Sequence, residues 1–174
     1  MEIKQFTPAD IETHASSLAE ILVQTVANDG AVGFVMPLSR QEAAMFWQKK
    51  IASEVQAGDR VMFGAFDGDE LAGTGQLIVG MPNNQPHRAE ISKLMVHPNH
   101  RRKGFAKALM MILEQTARQY GRKLITLDTR TDDGGMPLYL ALGYQVAGEI
   151  PNFGKNAITD GFHSTTYMYK SVSQ

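Results

Sequence analysis

The stretch His97-Pro98-Asn99-His100-Arg101-Arg102-Lys103-Gly104-Phe105-Ala106 decides the fold. Before it, Ala89–His97 reads as a strand. After it, Gly104–Tyr120 has helical apolar spacing and is ended by Gly121, and Lys123–Thr129 reads as the next strand. Residues 89–129 therefore form a β-α-β unit, with two parallel strands and a right-handed crossover. Ligands of such units sit at the carboxyl ends of the parallel strands, which is where the quoted loop lies.

The loop's composition names the kind of ligand. From Lys93 to Lys107 there are five basic residues and no acidic one, while the rest of the chain has 12 basic against 18 acidic residues. The helix that follows offers free N–H groups and the positive end of its dipole to an anion. Gly104 lets the backbone approach a ligand closely. Together these describe a phosphate cradle. The plainer alternative is a solvated basic loop at a helix start. The pattern Arg-x-x-Gly-x-Ala alone arises in roughly one chain in six at average composition. Its position between strand and helix is what gives it weight.

Outward from this unit, residues 2–6 read as a short strand. Asp10 begins a helical stretch with Leu18, Ile21, Leu22 and Val26 on one side, stopped at Asn28-Asp29-Gly30. Ser39 with Glu42 three residues on is a capping box. It opens a helix carrying Ala43, Phe46, Trp47 and Ile51 that ends near Gly58, and the spacing assigns Trp47 to the core. Val61–Phe66 and Leu71–Val79 form a hairpin about Asp67-Gly68-Asp69-Glu70, with Gly73 and Gly75 weakening the return strand. Pro137–Leu142 is a short helix. Tyr144–Ile150 and Ser164–Lys170 are strands joined by a polar loop. No repeat or linker divides the chain, so residues 1–174 are expected to form one α/β domain, a mixed sheet with helices on its faces.

Composition limits the function. Of 174 residues, 43% are apolar and 20% charged, with a formal net charge of −1. That suits a folded soluble domain and excludes a globally basic nucleic-acid binder. The chain has no cysteine, which excludes a disulfide scaffold, thiolate metal sites and a cysteine nucleophile. The longest apolar run, Ala108–Leu113, is far too short for a membrane span. A cytoplasmic protein with neither membrane nor nucleic-acid partners is expected, as a monomer or homodimer. His97 and His100 lie three apart with no acid nearby in sequence, so no metal site is expected.

Two motifs carry a family resemblance. Arg101-x-x-Gly104-x-Ala106 resembles the pyrophosphate loop of the GNAT acetyltransferase superfamily, with Leu94-Met95-Val96 standing on the strand before it. Leu138-Tyr139-Leu140-Ala141-Leu142-Gly143-Tyr144 resembles the second half of that family's Asn-x-x-Ala-x-x-Leu-Tyr-x-x-x-Gly-Phe motif. That half alone should occur by chance in about one chain in several hundred. The family's Asn position holds Asp132, which can accept a hydrogen bond but not donate one when ionised, and its Ala position holds Gly135. The segments Val32-Gly33-Phe34, Arg88-Ala89-Glu90, Lys93-Leu94-Met95-Val96, Leu127-Asp128-Thr129, Gly148-Glu149 with Pro151, and Asp160-Gly161 with His163 are further similar to the tabtoxin-resistance branch of the family.

The resemblance implies a mostly antiparallel sheet containing the parallel unit, with helices on both faces. It implies acetyl-CoA as co-substrate, no metal, and a small amino-acid-like amine as acceptor. Arg101, Arg102, Lys103, Gly104, Phe105 and Ala106 would hold the pyrophosphate. The backbone of Leu94, Met95 and Val96, beside a splay between the parallel strands, would hold the acetyl carbonyl and pantetheine arm, with Asp132 nearby. Glu90 and Asp128 become the candidate general base or ammonium partner. Four strand residues span roughly 13 Å, so Glu90 is expected to act through water. Tyr139 becomes the candidate acid for the departing thiolate. Without cysteine, direct attack in a ternary complex is the economical mechanism. The loops Asn28–Leu38 and Pro151–His163 are candidates to line the acceptor site. A non-catalytic CoA-binding or acyl-CoA-sensing domain is the competing class.

Overall fold

The computed structural model describes residues 1–172. A seven-stranded sheet runs in the order β1-β2-β3-β4-β5-β7-β6. Its strands are β1 (Glu2–Gln5), β2 (Arg60–Asp67), β3 (Glu70–Ile78), β4 (Arg88–Val96), β5 (Leu124–Arg130), β6 (Gln145–Lys155) and β7 (Phe162–Ser171). The pair β4–β5 is parallel and all other neighbours are antiparallel.

Helices cover both faces. On one lie α1 (Pro8–Thr13), α2 (Ala15–Ala27), α3 (Arg40–Met45) and α4 (Ala52–Ala57). They bury Ile11, Leu18, Ile21, Leu22 and Trp47 against Met62, Phe66, Leu71 and Met95 of the sheet. On the other lie α5 (Phe105–Gln119) and α6 (Met136–Ala141), where Phe105, Leu109, Leu113 and Tyr139 pack on Phe63, Leu77, Ile91 and Leu127. Deleting a side chain as buried as Leu113 typically costs about 2–5 kcal/mol, a large part of a domain's total of about 5–15 kcal/mol. No helix among the described residues is long and apolar enough to cross a membrane.

Three sequence expectations change. The helical stretch from Asp10 is two helices, broken at His14. The first is capped by Thr7, whose amide donates to the Asp10 carboxylate at 2.8 Å while the Asp10 amide donates to the Thr7 hydroxyl at 3.2 Å. The helix opened by Ser39 is interrupted by a π-helical turn, Phe46–Ile51, before it ends at Gly58, and this turn buries Trp47 and Ile51. The polar loop Pro151–His163 is mostly strand, because β6 runs on to Lys155 and β7 begins at Phe162. Pro151 falls at an irregularity in the pairing between Ile150 and Gly154, where a proline costs no ladder bond.

The two inner strands position the site. Parallel pairing of β4 with β5 covers only Arg88↔Leu124, Ala89↔Ile125 and Glu90↔Thr126. Beyond Glu90 the strands part. On its other side β4 bulges against β3, between the pairs Thr74↔Met95 and Gln76↔Ser92, and Lys93 in the bulge has φ of 51°. Gly75 makes room for it, since a Cβ there would meet Leu113 at 3.0 Å and Leu94 at 3.3 Å.

Candidate active site

Where β4 and β5 part, a cleft of about 570 Å³ opens in the sheet. Residues of both apolar layers border it: Ile91, Leu127 and Tyr139 from the α5 side, and Val32, Phe34 and Met95 from the other. The opening therefore joins the two faces, so two reactants can meet from opposite sides.

At one end stands the start of α5. Gly104 is its N-cap with φ of 89° and supplies no side-chain cap. The first amide to bond back one turn is that of Ala108, to the Gly104 carbonyl at 3.0 Å. The amides of Phe105, Ala106 and Lys107 precede it and have no carbonyl one turn back. Arg102 also lies in left-handed backbone, with φ of 64°, and Arg101 borders the cleft. The arrangement suits a phosphate, with exposed arginines beside unpaired amides.

The charge of this end is smaller than its sequence promised. Lys103 Nζ lies 2.9 Å from the Asp67 carboxylate, so its charge is already answered. His100 Nδ1 lies 3.0 Å from the same carboxylate, and its Nε2 lies 3.3 Å from Glu70. The β2–β3 hairpin thus brings to His100 the acids that its own sequence neighbourhood lacks. Lys103 and His100 hold the Asp67 carboxyl below the usual aspartate range. Lys93 is not on the loop at all but inside the cleft.

The strand residues divide likewise. Leu94, Met95 and Val96 border the cleft beyond the last β4–β5 pair, so their backbone groups on the β5 side have no strand partner. Asp128 borders it too, accepting from the Thr165 hydroxyl at 3.3 Å. Glu90 does not border it, and its carboxylate sits 3.1 Å from Arg88. Arg88 is in turn held by Thr126 at 2.7 Å and Gln85 at 2.8 Å.

Tyr139 borders the cleft from α6. Burial first, then the charges of Asp133 and Asp128, push its phenol up to about 12. It is a neutral O–H donor throughout the neutral range. Asp132, with φ of 64°, lies in an adjoining depression of about 470 Å³ and not in the main cleft. Its neighbour Asp133 borders both.

The far end is closed by residues 28–35 and by Phe153, Gly154, Lys155 and His163 of the β6–β7 hairpin. Asp29 ties these pieces together. Its carboxylate takes Arg130 at 2.7 Å and the Ala157 amide at 3.1 Å, and the Met36 amide reaches the Ala157 carbonyl at 2.8 Å. The Arg130 hydrogen bond is the main cause that lowers the Asp29 carboxyl below its ordinary value.

The sequence reading missed several of these residues. Tyr167, outside the border of the cleft, stands opposite Asp128 across β5–β7, and its phenol is raised by desolvation and by Asp128 and Glu90. Only the strand register could have found it. The Asp29–Arg130 tether joins residues 101 apart in sequence, with no local signal beyond the Asp29-Gly30 turn.

A mixed sheet parted at one parallel pair, with an uncapped helix at the mouth of the gap, defines the acyl-CoA N-acyltransferase class of fold. The chain belongs to the GNAT acetyltransferase family, whose sequence signature matches residues 33–144. It is 36% identical over 111 residues to N-acetyltransferase 8B of Rattus norvegicus, a match covering 62% of this chain and 50% of that protein. It thus spans about half the length of that relative. It is 29% identical over 123 residues to an uncharacterized N-acetyltransferase in the hisH-hisA intergenic region of Azospirillum brasilense, covering 69% of this chain and 70% of that one.

Among solved structures, yncA from Salmonella typhimurium, determined with its cofactor acetyl-CoA, superposes with a TM-score of 0.79 at 17% identity, covering 100% of this chain and 95% of its own. The ribosomal-protein-alanine N-acetyltransferase of Brucella melitensis gives 0.79 at 16% identity, covering 99% of this chain and 100% of its own. At these identities the likeness shows the fold.

Proposed function

We propose that the protein transfers acetyl from acetyl-CoA to the primary amine of a small polar, amino-acid-like molecule, by direct attack in a ternary complex. The observation that carries this reading is the gap between β4 and β5, bordered by Asp128, by Tyr139 and by Arg101, whose loop leads into the unpaired amides of α5. Family membership and the acetyl-CoA of the yncA structure support the co-substrate. The small acceptor rests on the resemblance of segments such as Arg88-Ala89-Glu90 and Leu127-Asp128-Thr129 to the tabtoxin-resistance branch.

Acetyl-CoA supplies the activated thioester, and the residues do the rest. The amides of Phe105, Ala106 and Lys107, with Arg101 and Arg102, hold the pyrophosphate, and Lys103 adds little because Asp67 already engages it. The backbone of Leu94, Met95 and Val96 holds the pantetheine arm and polarises the acetyl carbonyl.

An alkylammonium with a pKa of about 10 is mostly protonated at neutral pH. Asp128 meets it and takes its proton, while Glu90, tied to Arg88, contributes through water. The nitrogen lone pair then forms the C–N bond, the C–S bond breaks, and the electron pair leaves on sulfur. Tyr139 donates its O–H to that thiolate, and the proton released by the amine restores the thiol through solvent.

The test is a panel of small amines with acetyl-CoA, reading free thiol. Acceptor-dependent thiol release is expected from at least one amino-acid-like amine. Binding of acetyl-CoA with no release from any amine would favour a non-catalytic CoA-binding domain.

A further inference from the structure

Lys93 is a charged residue of the cleft for which acetyl transfer has no evident use. It occupies the β4 bulge with φ of 51°, a left-handed conformation that lysine adopts only where the surroundings impose it. The bulge turns the side chain into the cleft. Its ammonium ends beside the loop that closes the far end, since a Cβ on Gly33 would lie 3.8 Å from Lys93 Nζ.

Lys93 is half-buried, and among the described residues no ion pair or hydrogen bond engages its ammonium. Of the surrounding charges, Glu90, Asp29 and Arg60 are already paired, while Asp128 is engaged only by the Thr165 hydroxyl. Glu90 has Arg88 at 3.1 Å, Asp29 has Arg130 at 2.7 Å, and Arg60 has Glu54 at 2.6 Å. Burial and then Arg60 lower the Lys93 ammonium below the ordinary lysine value, while Asp128 and Glu90 favour its charged form.

The facing loop has donors to spare. Val32 donates to the Gly30 carbonyl at 3.1 Å and Met36 to Ala157 at 2.8 Å, but the amides of Gly33, Phe34 and Val35 between them donate to no backbone carbonyl. A desolvated, unpaired ammonium is costly unless an anion offsets it.

We propose that Lys93, with the amides of the Gly33 loop, receives a carboxylate of the acceptor, so that the substrates are amino carboxylates with the amine at Asp128 and the carboxylate at Lys93. One unpaired cation balances one negative charge, which favours a carboxylate over a dianionic phosphate. This assignment rests on the acetyl-transfer reading and adds to it the charge that the acceptor carries away from its amine.

The experiment compares ω-amino carboxylates, from glycine to 6-aminohexanoate, each with its own carboxamide. At the best length, kcat/KM for the carboxylate should exceed that for its amide by roughly tenfold or more, the size of a charge-assisted hydrogen bond. Lys93→Asn removes the charge while suiting the left-handed backbone, and should bring that ratio close to one. Lys93→Arg should keep it above one. A native ratio near or below one at every length overturns the proposal, as does a ratio that survives Lys93→Asn. In those cases amines are still acetylated and the acetyl-transfer reading stands. If no amine in either series releases thiol and acetyl-CoA does not bind, both readings fall together.

Discussion

The mouth of the cleft comes from consecutive residues, His97 to Ala106, whereas its far end draws on the 28–35 loop, Lys93, Asp128, the β6–β7 hairpin and Thr165. In the proposed reaction the mouth works mainly through backbone amides at the start of α5, so it should tolerate side-chain change but depend on Gly104. In the proposed reaction the far end works through side chains, and two of its carboxylates are held by partners distant in sequence. Asp128 takes Thr165 from 37 residues away, and Asp29 takes Arg130 from 101 away. A site built from one segment can be read as a motif. One built from several has meaning only once the strands are paired.

The largest effect expected belongs to the far end. Asp128→Asn should lower kcat/KM for the best amine by about 10²–10⁴-fold near neutral pH, the usual size for general base catalysis. The loss should shrink as pH rises, because more amine is then already neutral. Glu90→Gln should cost less, since Glu90 lies outside the cleft and is tied to Arg88. A pH–rate profile of both variants measures this, and a larger loss in Glu90→Gln would exchange the two roles.

Tyr139 lies between the two ends. Tyr139→Phe keeps the ring and removes the donor, so kcat should fall by about 10²-fold while acetyl-CoA affinity hardly changes. An unchanged kcat, with chemistry limiting turnover, would make Tyr139 a packing residue only.

The smallest effect tests how the far end is held together. The Asp29 carboxyl is lowered in the folded protein by Arg130, so its contribution is present above the unfolded aspartate value of about 3.9 and is lost as pH falls through the lower folded value. Asp29→Asn should therefore reduce Tm by about 2–4 °C at neutral pH, as a loss near 1 kcal/mol does in a domain this size. The gap should close in acid below the ordinary aspartate range. A gap that persists there would mean that the charge is not what holds the loop.

This contrast also explains what the sequence disclosed. The β-α-β unit, the Ser39 cap and the turn at Asp67-Gly68 were legible because each is set by residues within a few positions of one another. The uncapped start of α5 after Gly104 was legible for the same reason. The sequence could not show that Lys103 is spent on Asp67, because the two lie 36 residues apart, nor that Glu90 faces Arg88 while Asp128 faces the cleft. In sequence Lys93 belongs to the loop's basic run, because the bulge that turns it inward depends on the β3–β4 register and on the space left by Gly75. Residues 151–163 read as a loop because Pro151, Gly154 and Gly161 break local strand patterning, while the pairing of β6 with β7 carries the strands on to Lys155 and back from Phe162.

In the proposed reaction the unpaired amides after Gly104 hold acetyl-CoA. Calorimetric titration of acetyl-CoA into the native protein and into Gly104→Glu tests it most directly, because a carboxylate there adds bulk, backbone strain at φ of 89° and like charge at the pyrophosphate. The native protein should bind one equivalent, more weakly as salt rises, and the folded variant should show no binding. Undetectable binding to native protein free of bound CoA, or equal binding to both, would mean that these amides do not hold the cofactor.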